Sequence, residues 1–142
     1  MHEIYHQFNI KTDDTLKIYR ALTEQAGLAG WWTTATTAVP QVGSVATFRF
    51  SPDYHKEMKV TNLEEGKLVE WECIRGDEQW LGTTVRFELI PGEDSTDVRF
   101  YHGNWKEKSD LFGICNYHWG LYMKSLKSLI EDGKGNPTDP QL

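Results

Sequence analysis

The sequence predicts an α+β domain in which a curved antiparallel sheet of about six strands wraps a long C-terminal helix, with one or two short helices after the first strand. Three observations predict it. Apolar and polar residues alternate with period two from Val45 to His102. Short turn signals separate those runs, so neighbouring runs pair as hairpins. After Ser109 the period becomes helical and stays so for about six turns, at ~3.6 residues per turn. A sheet alternating cleanly in and out needs its inner face covered, and only the last helix is long enough to cover it. At 142 residues the chain suits one domain spanning 1–142.

The elements follow in order. Residues 2–10 alternate as Ile4, His6, Phe8, Ile10 and read as the first strand. Thr12-Asp13-Asp14 can cap a helix carrying Leu16, Ile18, Tyr19 and Leu22, which stops near Gly27. Leu28 to Trp32 adds one short turn. VGSVATFRF sets Ala46, Phe48 and Phe50 on one face. Residues 56–63 and 67–75 look like a hairpin about Glu65-Gly66, with Met58 and Val60 on one face of the first strand and Val69, Trp71 and Cys73 on one face of the second. TTVRFELI turns Thr83, Val85, Phe87 and Leu89 inward. TDVRFYHGNW does the same with Val98, Phe100 and His102. The final helix carries Leu111, Cys115, His118, Trp119, Tyr122, Leu126, Leu129 and Ile130 on one broad face and ends at Gly133. The polar segment 134–142, with two prolines, is expected to be a loosely held, flexible tail.

Composition excludes several partners. The net charge is −6 and no Lys/Arg cluster interrupts it, which argues against nucleic acid. No apolar run reaches membrane-span length, and MHEIYHQFNI lacks the pattern of a signal peptide. Cys73 and Cys115 sit among apolar neighbours outside any CxxC, as expected of reduced thiols in a cytoplasmic protein. No metal site is expected. His2 and His6, four apart on a strand, lie about 13 Å from each other. No P-loop, GxGxxG or GxSxG is present, so no cofactor is called for and no reaction is assigned. Aromatic residues make up 13% of the chain, which fits either a core of large side chains or an aromatic-lined cavity.

Three stretches resemble one family. YRALTEQAGLAGWWT (19–33), LVEWECIRGDEQWLGTTVRFELIPGEDSTDVRFYHGNW (68–105) and YHWGLYMKSLKSLIEDGKGNP (117–137) are similar to the START-like, helix-grip proteins called SRPBCC. More narrowly, they resemble the bacterial branch named after the activator of the heat-shock-protein-ninety ATPase. The resemblance implies a cavity between sheet and long helix that holds small apolar or amphipathic ligands in some relatives. It carries over no reaction, since members include cyclases, hydroxylase subunits and pure binding proteins.

On that reading Trp31 and Trp32 would either lie near the cavity mouth, one packed inward on the last helix and the other on the rim, or both be packing residues that close one end of the sheet. Phe48, Phe50, Met58, Trp71, Phe87 and Phe100 are inward by alternation and are candidates to touch a ligand. His102 on the last strand and His118 on the last helix are either an orienting or acid–base pair or two separate core histidines. Tyr117 and Tyr122 could supply hydroxyls.

The expected function is binding of a small apolar or aromatic molecule, by a monomer or homodimer. Two alternatives stand beside it. One is a cyclase- or hydrolase-like enzyme using cavity His and Tyr. The other is a module that docks on a chaperone, which would need an exposed apolar patch.

Overall fold

Each alternating run forms a strand in a computed structural model that describes residues 1–142. The order is β1 (His2–Ile10), α1 (Thr15–Thr23), α2 (Gln25–Trp31), β2 (Ala35–Thr37), β3 (Val45–Ser51), β4 (Tyr54–Glu64), β5 (Leu68–Arg75), β6 (Thr84–Pro91), β7 (Thr96–Trp105) and α3 (Asp110–Asp132). The sheet is seven-stranded and antiparallel, ordered β1-β7-β6-β5-β4-β3-β2. Its register aligns inward side chains in rows. Val60 pairs Trp71, Trp71 pairs Val85, Val85 pairs His102, and His102 pairs Ile4. Every member of that row is buried. The added strand is β2, whose sequence ATT offers no apolar alternation to read. It is held by backbone pairing to Thr47–Arg49 at the sheet edge.

The helix boundaries have identifiable causes. The Asp14 carboxylate accepts from the Lys17 N–H at 3.1 Å and starts α1. The break between α1 and α2 falls at Glu24, with extended φ −92° and ψ 147°, rather than at Gly27. Gly27 lies inside α2, where a Cβ would sit 2.5 Å from the Ala21 Cα. It serves the close approach of two helices instead of ending one. Ser109 caps α3 by accepting from the Phe112 N–H at 3.2 Å. Gly133, at φ +82°, ends it in the left-handed conformation that glycine adopts without a Cβ penalty.

The segment after Gly133 folds back on the protein. Ser125 of α3 donates to the Trp31 carbonyl (2.9 Å) and accepts from the Asn136 N–H (2.7 Å). Thr138 donates its N–H to the Trp32 carbonyl, and its own carbonyl accepts from the Thr34 N–H, both at 2.9 Å. The unpaired backbone after α2 thus finds its partners in the tail. Composition could not show this, because the pairing uses backbone groups.

Beneath α3 the concave face is filled with rings. All six tryptophans are buried. Trp32 stacks on Trp71 (centroids 5.9 Å, 11°) and lies 5.1 Å from Trp119, which packs on Phe100 at 4.6 Å. The middle of the grip is solid.

Candidate aromatic pocket at one end of the long helix

Open space is displaced to the end where β3, β4 and the loop before β6 meet the first half of α3. A pocket of about 320 Å³ opens there, lined by Trp32, Phe50, Tyr54, Lys56, Trp80, Cys115, His118, Trp119, Tyr122 and Thr138. The volume sits at the small end of ligand sites, which span roughly 300–1,000 Å³. It is a cleft open to solvent rather than a sealed chamber under the helix.

Strand alternation carries the Met58 face backward to Lys56 and Tyr54 at the start of β4, and both side chains enter the pocket. The Lys56 ammonium lies 4.0 Å from the centroid of Trp80, 4.6 Å from that of Tyr54 and 5.3 Å from that of Phe50. Such cation–π contacts are each worth about 0.5–2 kcal/mol, depending on desolvation. The ammonium also donates to the Tyr54 hydroxyl oxygen at 2.9 Å. That oxygen accepts a second bond from the Asp77 N–H at 2.9 Å.

Trp80 forms the wall between pocket and core. Its indole N–H donates to Cys115 Sγ at 3.4 Å. Behind it lies His102, fully buried, with its ring 4.5 Å from that of Trp80. An indole N–H can only donate, so the 3.0 Å bond from Trp119 makes His102 Nδ1 an acceptor. Nε2 therefore carries the proton and donates to Thr83 Oγ1 at 2.8 Å; Thr83 donates onward to the Trp80 carbonyl at 2.6 Å. Burial first, and the nearby Lys56 charge second, push the histidine down to about 3. It is neutral at pH 7 with both nitrogens engaged. Burial also raises both thiols, Cys73 to about 11, so neither is a ready nucleophile. No group of three or more His, Cys, Asp and Glu side chains is placed to hold a metal. No helix is long and apolar enough to cross a membrane.

The family model described as Activator of Hsp90 ATPase homolog 1-like protein matches residues 15–131. The chain belongs to this family. The solution structure of the Aha1 dimer from Colwellia psychrerythraea is 41% identical to this activator-family chain, with a TM-score of 0.86 over 95% of this chain and 100% of that one. A Mesorhizobium loti protein has 19% identity and a TM-score of 0.81, covering 92% and 98% of the two chains. CalU16 from Micromonospora echinospora has 12% identity and a TM-score of 0.76, covering 94% and 76%. The last two share the fold alone. No curated protein matches the sequence.

Within this activator-family fold the sequence-predicted residues divide into two layers. Trp32, Phe50, His118 and Tyr122 meet in the pocket. Trp31 points the other way, donating its indole N–H to the Ala21 carbonyl at 2.8 Å. Phe48, Met58, Trp71, Phe87 and Phe100 are buried behind the Trp32–Trp119 layer, and His102 behind Trp80. His102 and His118 are not a pair: His118 is exposed at the pocket edge, one residue off the buried Cys115–Trp119 stripe. Tyr117 is 68% exposed on the outer face. Sequence reasoning did not select Tyr54, Lys56, Trp80, Cys115, Trp119 or Thr138 as site residues. Alternation from Met58 could have found the first two.

Proposed function

We propose that the chain binds a small apolar or aromatic molecule in this pocket. The single observation carrying the reading is an open, aromatic-walled cleft of about 320 Å³ in an otherwise ring-filled interior. Burial of a flat guest against the half-buried Phe50 and Tyr122, with the pocket edges of Trp32, Trp80 and Trp119 behind it, supplies the driving force, at roughly 25 cal/mol per Å² of apolar surface. An acid–base enzyme is less well supported, because the buried histidine has no free nitrogen and lies outside the pocket. Titration with the neutral probe 2-naphthamide, followed by tryptophan fluorescence, tests the reading. Trp80→Ala should weaken binding roughly 2- to 10-fold, the equivalent of 0.5–1.5 kcal/mol of ring contact. The exposed, outward Glu72→Ala should leave it unchanged. Equal effects, or no saturable binding, would remove the pocket as the site.

A second reading concerns protein partners. Ile114, Tyr117 and Leu121 are 51%, 68% and 50% exposed and follow one another at helical spacing on the outer side of α3. The Colwellia relative is a dimer. On the precedent of that dimer, we propose a second copy of the chain as the occupant of this stripe. The family description names a chaperone activator, and chaperone docking at the same stripe is the competing outcome.

A further inference from the structure

Lys56 is an unusual residue to find in such a pocket. The protein is acidic overall, yet this lysine is the only Lys, Arg, Asp or Glu among the lining residues. It forms no ion pair. The neighbouring Glu57 belongs to the other face, where it is engaged by His55 at 3.0 Å and Arg75 at 3.5 Å. The Asp77 carboxylate accepts from the Gln79 N–H at 2.9 Å.

The ammonium has three N–H bonds, and the protein supplies an acceptor for one of them, the Tyr54 oxygen. That oxygen already accepts two hydrogen bonds, from Lys56 and Asp77. Its lone pairs are filled, and its own proton has no acceptor in the protein. The two accepted bonds draw electron density from the phenol and strengthen it as a donor. Lys56 and Tyr54 therefore present donors with one unit of positive charge at the β4 wall, facing the aromatic rings of the same cleft.

We infer that the pocket selects a planar aromatic carboxylate, with one carboxylate oxygen on Lys56 Nζ, the other on the Tyr54 hydroxyl, and the ring system lying along the open cleft toward Phe50, His118 and Tyr122. This rests on the proposed binding function and goes beyond it by assigning the charge and shape of the guest. A carboxylate supplies two acceptor oxygens in one plane, matching two adjacent donors. A hydrogen bond to a charged group is roughly twice as strong as a neutral one. A neutral amide of the same shape keeps the ring contacts but offers a single acceptor oxygen to the two donors and cannot neutralise the ammonium.

The test compares 2-naphthoate with the near-isosteric 2-naphthamide by tryptophan fluorescence at pH 7.5. The wild type should bind the carboxylate at least 10-fold more tightly. Lys56→Met should abolish the preference while keeping amide affinity within about threefold, a factor worth less than one tenfold step of 1.4 kcal/mol. Tyr54→Phe should reduce the preference. The wild-type comparison stands even if a variant fails to fold. Equal wild-type affinities for the two probes would overturn the anion assignment and leave the pocket reading in place. Binding of neither probe would overturn both. An unchanged preference in folded Lys56→Met would also overturn the assignment.

Discussion

The indole N–H of Trp119 donates to Nδ1 of His102 at 3.0 Å, across the contact between α3 and β7. This bond fixes the tautomer and joins helix to sheet through a buried polar link. The same link makes stability depend on pH. An unfolded histidine takes up its proton near pH 6.5, whereas His102 in the fold does so near 3. Between those values the unfolded chain binds the extra proton. Stability is therefore full above about pH 6.5 and falls as pH is lowered, by up to about 1.4 kcal/mol per pH unit. His102→Gln keeps an acceptor for Trp119 and a donor for Thr83 but does not titrate. Urea denaturation at pH 7 and pH 5 should show a smaller loss for the variant than for the wild type. Parallel losses would mean that other groups carry the acid sensitivity.

Two glycine-to-alanine changes should move stability in opposite directions. At Gly27 the new Cβ would lie 2.5 Å from the Ala21 Cα and 2.8 Å from the Arg20 carbonyl, all backbone, so the α1–α2 pair must separate. A cost of about 1–3 kcal/mol is expected. At Gly113 in α3 a Cβ meets nothing within 4 Å, so alanine should add about 0.5–1 kcal/mol through helix propensity. Thermal unfolding of the two variants checks both signs.

The tail carries a stability increment. Ending the chain at Pro137 deletes the two backbone bonds of Thr138 with Trp32 and Thr34 and removes one pocket wall. Net hydrogen-bond values near 0.5–1.5 kcal/mol each predict a loss of roughly 1–3 kcal/mol. An unchanged unfolding midpoint would show that the segment is held too weakly to matter.

Self-association should depend on the outer stripe of α3. Sedimentation analysis should give a dimer for the wild type and a monomer for Leu121→Asp, which places a charge among Ile114, Tyr117 and Leu121. A wild-type monomer at tens of micromolar would redirect the stripe to another partner, and stimulation of a chaperone ATPase would name it.

The strands and α3 were legible because each imposes one period on its buried side chains. The inward direction of Val60, Trp71, Val85 and His102 follows from alternation; the register that lines them up in one row depends on the turns and on the bulges in the β4–β5 pair. The pocket was legible only in part. Lys56 and Tyr54 obey the same alternation as Met58, but attention to apolar residues passes over them. Trp80 lies in a loop where no period points a side chain anywhere. His118 shows the angular limit of a helical stripe: one residue's rotation from Trp119 separates the buried face from the pocket edge. The location of the void was beyond sequence, because it depends on how the large rings share the concave face.

The most direct test of a guest in this cleft is the response of the six indole N–H resonances to 2-naphthoate in a nitrogen–proton correlation spectrum. Trp32, Trp80 and Trp119 line the pocket, while Trp31, Trp71 and Trp105 do not. Saturable shifts concentrated on the first three are the predicted result. No shifts, or shifts spread evenly over all six, would contradict a binding site at this end of the helix.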